Sequence, residues 1–133
     1  LVHSYAVTAA STESQRAATA LVHESHVILP AARQEVKARW EALASALKHG
    51  LGIEAQQPDG AFYYWMPLPD HARKDPMAFC IHLRNEGGVV VVPGHTFGEA
   101  GRPFLRLSFA APPDQIALGI LRMRPFWEAP ERP

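Results

Sequence analysis

The sequence has few of the features of a secreted, membrane-spanning or nucleic-acid-binding protein. Its 133 residues include a single cysteine, so no disulfide framework can form within the chain. No apolar run approaches the roughly 20 residues that a spanning helix needs, and the start of the chain lacks the pattern of a secretory signal. Thirteen basic and thirteen acidic residues cancel, which argues against binding to phosphate backbones or anionic membranes. We therefore expect a cytoplasmic protein with neither nucleic acid nor a membrane as partner.

Cysteine and lysine are also scarce. Cys80 lies in an apolar helical pattern, which favours a buried, inert thiol. The lysines are Lys37, Lys48 and Lys74; two fall on a predicted long helix and the third in a charged loop. All three are therefore predicted to be solvated.

Two helices are predicted in the first part of the chain. Thr12 and Gln15 have capping-box spacing and precede an alanine-rich run. Pro30 suits the first turn of a second helix that ends near Gly50. The apolar stripe of that helix consists of Val36, Trp40, Leu43 and Leu47. Since the chain starts at Leu1 in mid-pattern, we expect it to be a piece of something longer.

The second part of the chain alternates strands and helices. Strands are predicted at 61–66, 89–92 and 104–109, and helices at 76–86 and from 113 until Pro125 kinks or ends the last one. Phe62, Tyr64 and Met66 are read as a core stripe, and Val89 to Val92 as a strand buried on both faces. This order predicts an α+β fold with a small three-stranded sheet, antiparallel or mixed, and helices on one face. The other face then needs a covering surface.

Arg106 is the residue whose position most needs an explanation. It alternates with Leu105 and Leu107, so its side chain leaves the apolar face of its strand. An arginine clamping a substrate carboxylate with two N–H donors is one interpretation. The other is an edge-strand arginine exposed to water or paired with a structural Asp or Glu, and the lone residue favours this one.

The loop before that strand favours the first interpretation, in which Arg106 clamps a substrate carboxylate. Residues 92–98 combine a proline, two glycines and one aromatic between two predicted strands, a composition suited to a fixed loop that approaches a ligand closely. A plain connection whose glycines serve only turn geometry remains the alternative. Elsewhere, we expect His23 and His26 to lie on one helix, where they could share a face, but no further ligands complete a metal site, and Ser11 and Ser14 lack the glycine-flanked elbow of a hydrolase.

Three motifs together resemble a known family in order and spacing. They read PDGAFY at 58–63, GVVVVPGHTFG at 88–98 and LRLSFA at 105–110. They are similar to the small-domain signature of class I/II aminotransferases that depend on pyridoxal phosphate, over about residues 11 to 127. The resemblance implies that Arg106 binds the substrate α-carboxylate and that Phe97 and Gly94 line the substrate pocket. It also implies that 1–28 end a large cofactor-binding domain and that 29–133 form the C-terminal small domain.

The chain departs from the family pattern in one large respect. The family binds its cofactor through a Schiff-base lysine, an aspartate and phosphate ligands, and none of these is in the sequence. We therefore expect pyridoxal phosphate only in a complete protein, which the resemblance implies is a homodimer acting on an amino acid and a 2-oxo acid. The remainder of the large domain is then a partner, and this chain alone is expected to be inactive. Two alternatives stay open, an aminotransferase-like ligand-binding domain of a transcriptional regulator and a truncated, non-catalytic dimerisation module.

Overall fold

The helices and strands follow one another in the order that the sequence predicts. The computed structural model describes residues 5–6 and 9–128, so the start of the chain, on which the expectation of a longer protein rests, lies outside the described residues. The helices are α1 (Thr12–His23), α2 (Ser25–Leu51), α3 (Pro76–Gly87) and α4 (Pro113–Trp127), and the strands are β1 (Tyr63–Pro67), β2 (Val92–Pro93) and β3 (Phe104–Ser108). Short 3-10 turns occupy Asp70–Ala72, Gly94–Phe97 and Glu99–Gly101. The chain forms two compact units, Leu1–Glu35 and Val36–Pro133.

Helix α1 is capped one residue earlier than the sequence predicts. The N-cap is Ser11, whose hydroxyl oxygen accepts a hydrogen bond from the Ser14 backbone N–H at 3.1 Å. The Gln15 side chain instead donates to the Ala10 carbonyl oxygen at 2.8 Å. The prediction of a Thr12–Gln15 capping box is therefore wrong, because the serine before Thr12 supplies the capping oxygen.

Helix α2 begins and ends outside its predicted bounds. Pro30 lies inside the helix rather than in its first turn. Proline cannot donate to the carbonyl four residues earlier, and the helix tolerates that single missing bond. The left-handed residue at its C-terminus is Gly52, with φ of 67°, rather than Gly50. The Gly52 N–H donates to the Lys48 carbonyl oxygen, which satisfies one of the last free acceptors.

The described strands form one antiparallel sheet in the order β1-β3-β2. Tyr63 pairs with Ser108 at one end of the β1–β3 ladder, and Trp65 pairs with Arg106 at its centre. On the other side of β3, Arg106 pairs with Val92. Because side chains alternate along a strand, this register puts Trp65, Arg106 and Val92 on the same face.

The opposite face of the sheet packs against helices, as predicted for an α+β fold. Met66, Leu105 and Leu107 are buried there, with 0%, 0% and 6% of their surface exposed. The helical part of this core consists of Trp40, Leu43 and Leu47 from α2, Phe79, Cys80 and Leu83 from α3, and Ile116, Ile120 and Met123 from α4. The apolar stripes read from the sequence are thus the surfaces that cover the sheet.

The valine run before β2 does not form the predicted doubly buried strand. Only Val92 of the run is paired in the sheet, and Val90 is 76% exposed while Val91 is 9% exposed. The prediction is wrong because Val90 faces solvent while Val91 faces the core, so only one side of the segment is covered.

The last two helices differ in how well local signals predicted them. Helix α3 starts as predicted, with the Asp75 carboxylate accepting a hydrogen bond from the Ala78 N–H at 2.9 Å. Helix α4 continues through Pro125 to Trp127, so Pro125 does not end it. Within the described residues, no helix is both long and apolar enough to cross a membrane.

The sheet face that packs on the helices should dominate stability. Leu105 is fully buried, so Leu105→Ala leaves a cavity and should lower the free energy of unfolding by about 2–5 kcal/mol. Urea denaturation followed by circular dichroism measures the change. Leu121→Ala is the matched control, because Leu121 is 61% exposed and its truncation should change stability by less than about 0.5 kcal/mol. Equal losses in the two variants would contradict the assignment of Leu105 to the core.

Candidate functional site

Arg106 lies at the centre of the sheet face that the helices leave uncovered. It is half-buried, between the buried neighbours Leu105 and Leu107 on the middle strand β3. The burial of those leucines requires the arginine to point to the opposite face. The site is thus positioned by the packing of the core, and its charge is partly removed from water.

Two aromatic rings flank the guanidinium group of Arg106. Its Cζ lies 4.2 Å from the centroid of the Tyr63 ring and 4.3 Å from that of the Phe97 ring. Tyr63 is the first residue of β1, and Phe97 is the last residue of the 3-10 turn that follows β2. Arg106 therefore lies against the loop of residues 92–98, here called the proline-glycine loop. Contacts of this kind between a guanidinium and aromatic faces are attractive, at about 0.5–1 kcal/mol each when exposed.

No acid of the described chain neutralises this arginine. Among residues 5–6 and 9–128, Arg106 forms no ion pair or hydrogen bond through its N–H groups. The nearest acid along the chain, Glu99, receives a hydrogen bond from Arg102 that holds the pKa of its carboxyl below the usual value. A guanidinium group with free N–H donors has the geometry to bind a planar anion such as a carboxylate.

Gly94 lies beneath this site, where the loop closes on itself. It is buried, and a Cβ atom added there would collide with the Gly101 carbonyl oxygen and come within 2.7 Å of the Phe104 carbonyl oxygen and 2.9 Å of the Trp65 ring. A Cβ on Gly101 would in turn collide with Gly94. The two glycines thus allow the parts of the loop on either side of Phe97 to approach each other closely.

The aromatic partners on β1 are the residues that sequence reasoning missed. The predicted core stripe holds for Met66, which is fully buried, and for Tyr64, which packs on the core, but Phe62 is 41% exposed and precedes the strand. Tyr63 and Trp65 lie on the face of Arg106 instead. Trp65 is directly opposite Arg106 and meets the Phe97 ring edge-on, with centroids 5.5 Å apart. Strand alternation, applied to β1 as it was to β3, would have identified them.

Of the two predicted pocket residues, only Phe97 is seen in contact with Arg106 among the described residues. Phe97 contacts Arg106 and is 49% exposed, so its ring also reaches the surface. Gly94 lies where an added Cβ would come within 2.9 Å of the Trp65 ring. A direct substrate contact from Gly94 stays a prediction, as does one from Phe97.

The other candidate groups lie on the protein surface or in its core. Lys37 and Lys48 are exposed and form ion pairs with Glu41 and Glu54, with N–O distances of 3.8 and 2.9 Å. The described part of the chain contains no cluster of three or more potential metal ligands. The expectation that His23 and His26 lie on one helix is wrong, because His23 ends α1 and His26 belongs to α2; the His26 Nδ1 atom lies 3.3 Å from the His23 carbonyl oxygen. Lys37 and Lys48 are thus solvated, as predicted.

The sequence of this chain is similar to those of aminotransferases. Residues 2–118 match the family model described as "Aminotransferase class I and II". The chain is 39% identical over 94 residues to an aspartate aminotransferase from Sulfolobus acidocaldarius, an alignment that covers 68% of this chain. It is 31% identical over 125 residues, or 94% of this chain, to a probable N-acetyl-LL-diaminopimelate aminotransferase from Bacillus subtilis.

A solved structure supports the same likeness. The aromatic aminotransferase from Pyrococcus horikoshii superposes on 73% of this chain with a TM-score of 0.62 and 28% identity. The alignments cover 24% of the Sulfolobus protein, 31% of the Bacillus protein and 26% of the Pyrococcus chain. This chain therefore spans about a quarter to a third of the length of these relatives.

The close contact at Gly94 makes a testable prediction about the loop. Gly94→Ala should lower the free energy of unfolding by about 1–3 kcal/mol, because the methyl group meets backbone oxygen atoms that cannot move aside easily. Gly119→Ala is the control, since no atom lies within 4 Å of its added Cβ and alanine favours a helix by about 0.5–1 kcal/mol. Thermal unfolding of both variants measures the difference, and equal melting temperatures would contradict the packing described for the loop.

The buried thiol makes a second prediction. Burial raises the pKa of Cys80 to about 11, and its side chain is 6% exposed. Because only the thiolate reacts, a thiol reagent at pH 8 should label the native protein slowly. Labelling should be complete within the mixing time once urea unfolds the protein. Rapid labelling of the native form would show that Cys80 is accessible.

Proposed function

Because the chain belongs to the class I and II aminotransferase family, we propose that it forms the small-domain part of an enzyme that transfers an amino group between an α-amino acid and a 2-oxo acid. In this proposal residues 29–133 are the small domain, and residues 1–28 end a larger domain that binds the cofactor. The relatives compared above carry aminotransferase names, which favours an enzyme over a transcriptional regulator or a non-catalytic module. Because members of this family are typically dimers, we infer that the complete protein is a homodimer.

One observation carries the proposal for this chain's own residues. Arg106 offers free N–H donors on the open face of the sheet, held between two rings. A carboxylate is the planar anion common to amino acids and 2-oxo acids, and a guanidinium binds it through two parallel hydrogen bonds. Arg106 would therefore anchor the α-carboxylate of both substrates. A fixed anchor orients the α-carbon and its amino group for reaction.

Pyridoxal phosphate is assigned to the part of the enzyme outside this chain. The cofactor requires a lysine in its pocket, and Lys37 and Lys48 are exposed and paired with glutamates. Lys74 lies beside a different groove, with His71, Asp75 and Phe79. These residues do not fit the cofactor, so the chemistry that it supplies belongs to the larger domain.

The test is a substitution of the anchor in the complete enzyme loaded with pyridoxal phosphate. Activity is measured with L-aspartate, LL-diaminopimelate and L-phenylalanine as amino donors and 2-oxoglutarate as acceptor. Arg106→Lys keeps the charge but loses the two-pronged geometry, so KM for the best amino donor should rise by roughly 10- to 100-fold, the value of one or two charge-assisted hydrogen bonds.

An arginine on α3 provides the matched control. The Arg84 side chain donates to the neighbouring Asn85 side chain at the surface, so Arg84→Lys should leave KM unchanged. An unchanged KM in Arg106→Lys would refute the role of Arg106. Failure of the unmodified enzyme to transfer an amino group from any donor tested would count against the proposed function itself.

A further inference from the structure

The Arg106 guanidinium is held by aromatic rings where a carboxylate would be the commoner partner. A structural acid would orient an arginine by accepting its N–H bonds, and it would then compete with the substrate for the same donors. Aromatic rings contact the faces of the guanidinium and leave the N–H groups in its plane free. The two kinds of support thus have opposite effects on a site that must bind an anion.

The two rings approach Arg106 from separate parts of the fold. Tyr63 comes from β1, and Phe97 comes from the turn after β2. Each centroid is within 4.3 Å of the Arg106 Cζ, and among the described aromatic pairs these two rings do not contact each other. Two rings from separate elements therefore contact the same guanidinium group.

Each of these rings is itself supported by a neighbouring ring. Phe97 meets Trp65 edge-on at an interplanar angle of 84°, and Tyr63 packs against Phe62 with centroids 4.5 Å apart. Trp65 is also the residue directly opposite Arg106 in the ladder. Aromatic pairs with these geometries stabilise one another, so the positions of the two rings do not depend on a ligand.

We propose that Tyr63 and Phe97 are positioning residues, which fix the plane of the Arg106 guanidinium so that its two-pronged face is ready for the substrate carboxylate. The inference rests on the proposed role of Arg106 in an aminotransferase. Its effect is on binding: a guanidinium free to rotate must be ordered by each substrate, whereas a clamped one is ordered beforehand. The rings act through Arg106 and take no part in the reaction themselves.

Leucine substitutions test the clamp in the complete enzyme with its cofactor. Tyr63→Leu and Phe97→Leu keep apolar bulk but lose the aromatic face, so each should raise KM for the best amino donor by roughly two- to fivefold. Their combination should raise it by roughly tenfold, while kcat changes by less than about twofold, because the arginine itself remains. The inhibition constant of hydrocinnamate, a carboxylic acid without an amino group, should rise by the same factors as KM.

A conservative variant and an aromatic variant elsewhere in the fold provide the controls. Tyr63→Phe keeps the ring and should recover most of the loss seen in Tyr63→Leu. Phe126→Leu removes a ring on α4 that packs against His82 and does not touch Arg106, and its KM and inhibition constant should match those of the unmodified enzyme. Thermal unfolding of each variant separates a loss of binding from a loss of folded protein.

The outcomes distinguish this inference from the proposed function. If Arg106→Lys raises KM but the leucine variants at Tyr63 and Phe97 behave like Phe126→Leu and the unmodified enzyme, the clamp is refuted and the carboxylate role stands. If Tyr63→Phe is as impaired as Tyr63→Leu, the hydroxyl rather than the ring matters, and the clamp is again refuted. If Arg106→Lys itself has no effect on KM, the proposed role of Arg106 fails first.

Discussion

Leu105 and Leu107 are buried against the helices, and the alternation of a β-strand leaves Arg106 between them no position except the opposite face. The packing of the core therefore places the charged group of Arg106 on the open face of the sheet. Turning Arg106 inward would require a one-residue shift of β3, which would expose both leucines and bury an unpaired guanidinium. The orientation of the arginine is thus as secure as the packing of the sheet.

The middle position of β3 gives Arg106 neighbours on both sides. On β1, Trp65 lies directly opposite Arg106, and the centroid of the Tyr63 ring lies 4.2 Å from the Arg106 Cζ. Phe97 contacts the same guanidinium from the loop after β2. The loop reaches this position because Gly94 and Gly101 allow its two ends to touch. Three separate stretches of sequence therefore meet at one guanidinium, each brought there by backbone geometry.

Local signals in the sequence predicted the elements, and non-local pairing determined the site. Asp75 and Pro76 predicted the start of α3, because a cap and a proline act on their own helix. Alternation along β1 could have placed Tyr63 and Trp65 on one face, but their position beside Arg106 depends on how β1 pairs with β3 across the sheet. The exposure of Val90 was missed for a related reason: a run of valines specifies a strand but not what covers each side. The roles of Arg106, Phe97 and Gly94 came from the family resemblance.

The placement of Trp65 gives the site an intrinsic optical reporter. Of the three tryptophans in the sequence, Trp40 is buried in the core and Trp127 packs against Phe79, whereas Trp65 lies on the same face as Arg106 and is 41% exposed. An indole in that environment responds to changes in nearby charge and hydration, which a bound anion would alter. Its fluorescence emission can therefore follow the occupancy of the guanidinium without any attached dye.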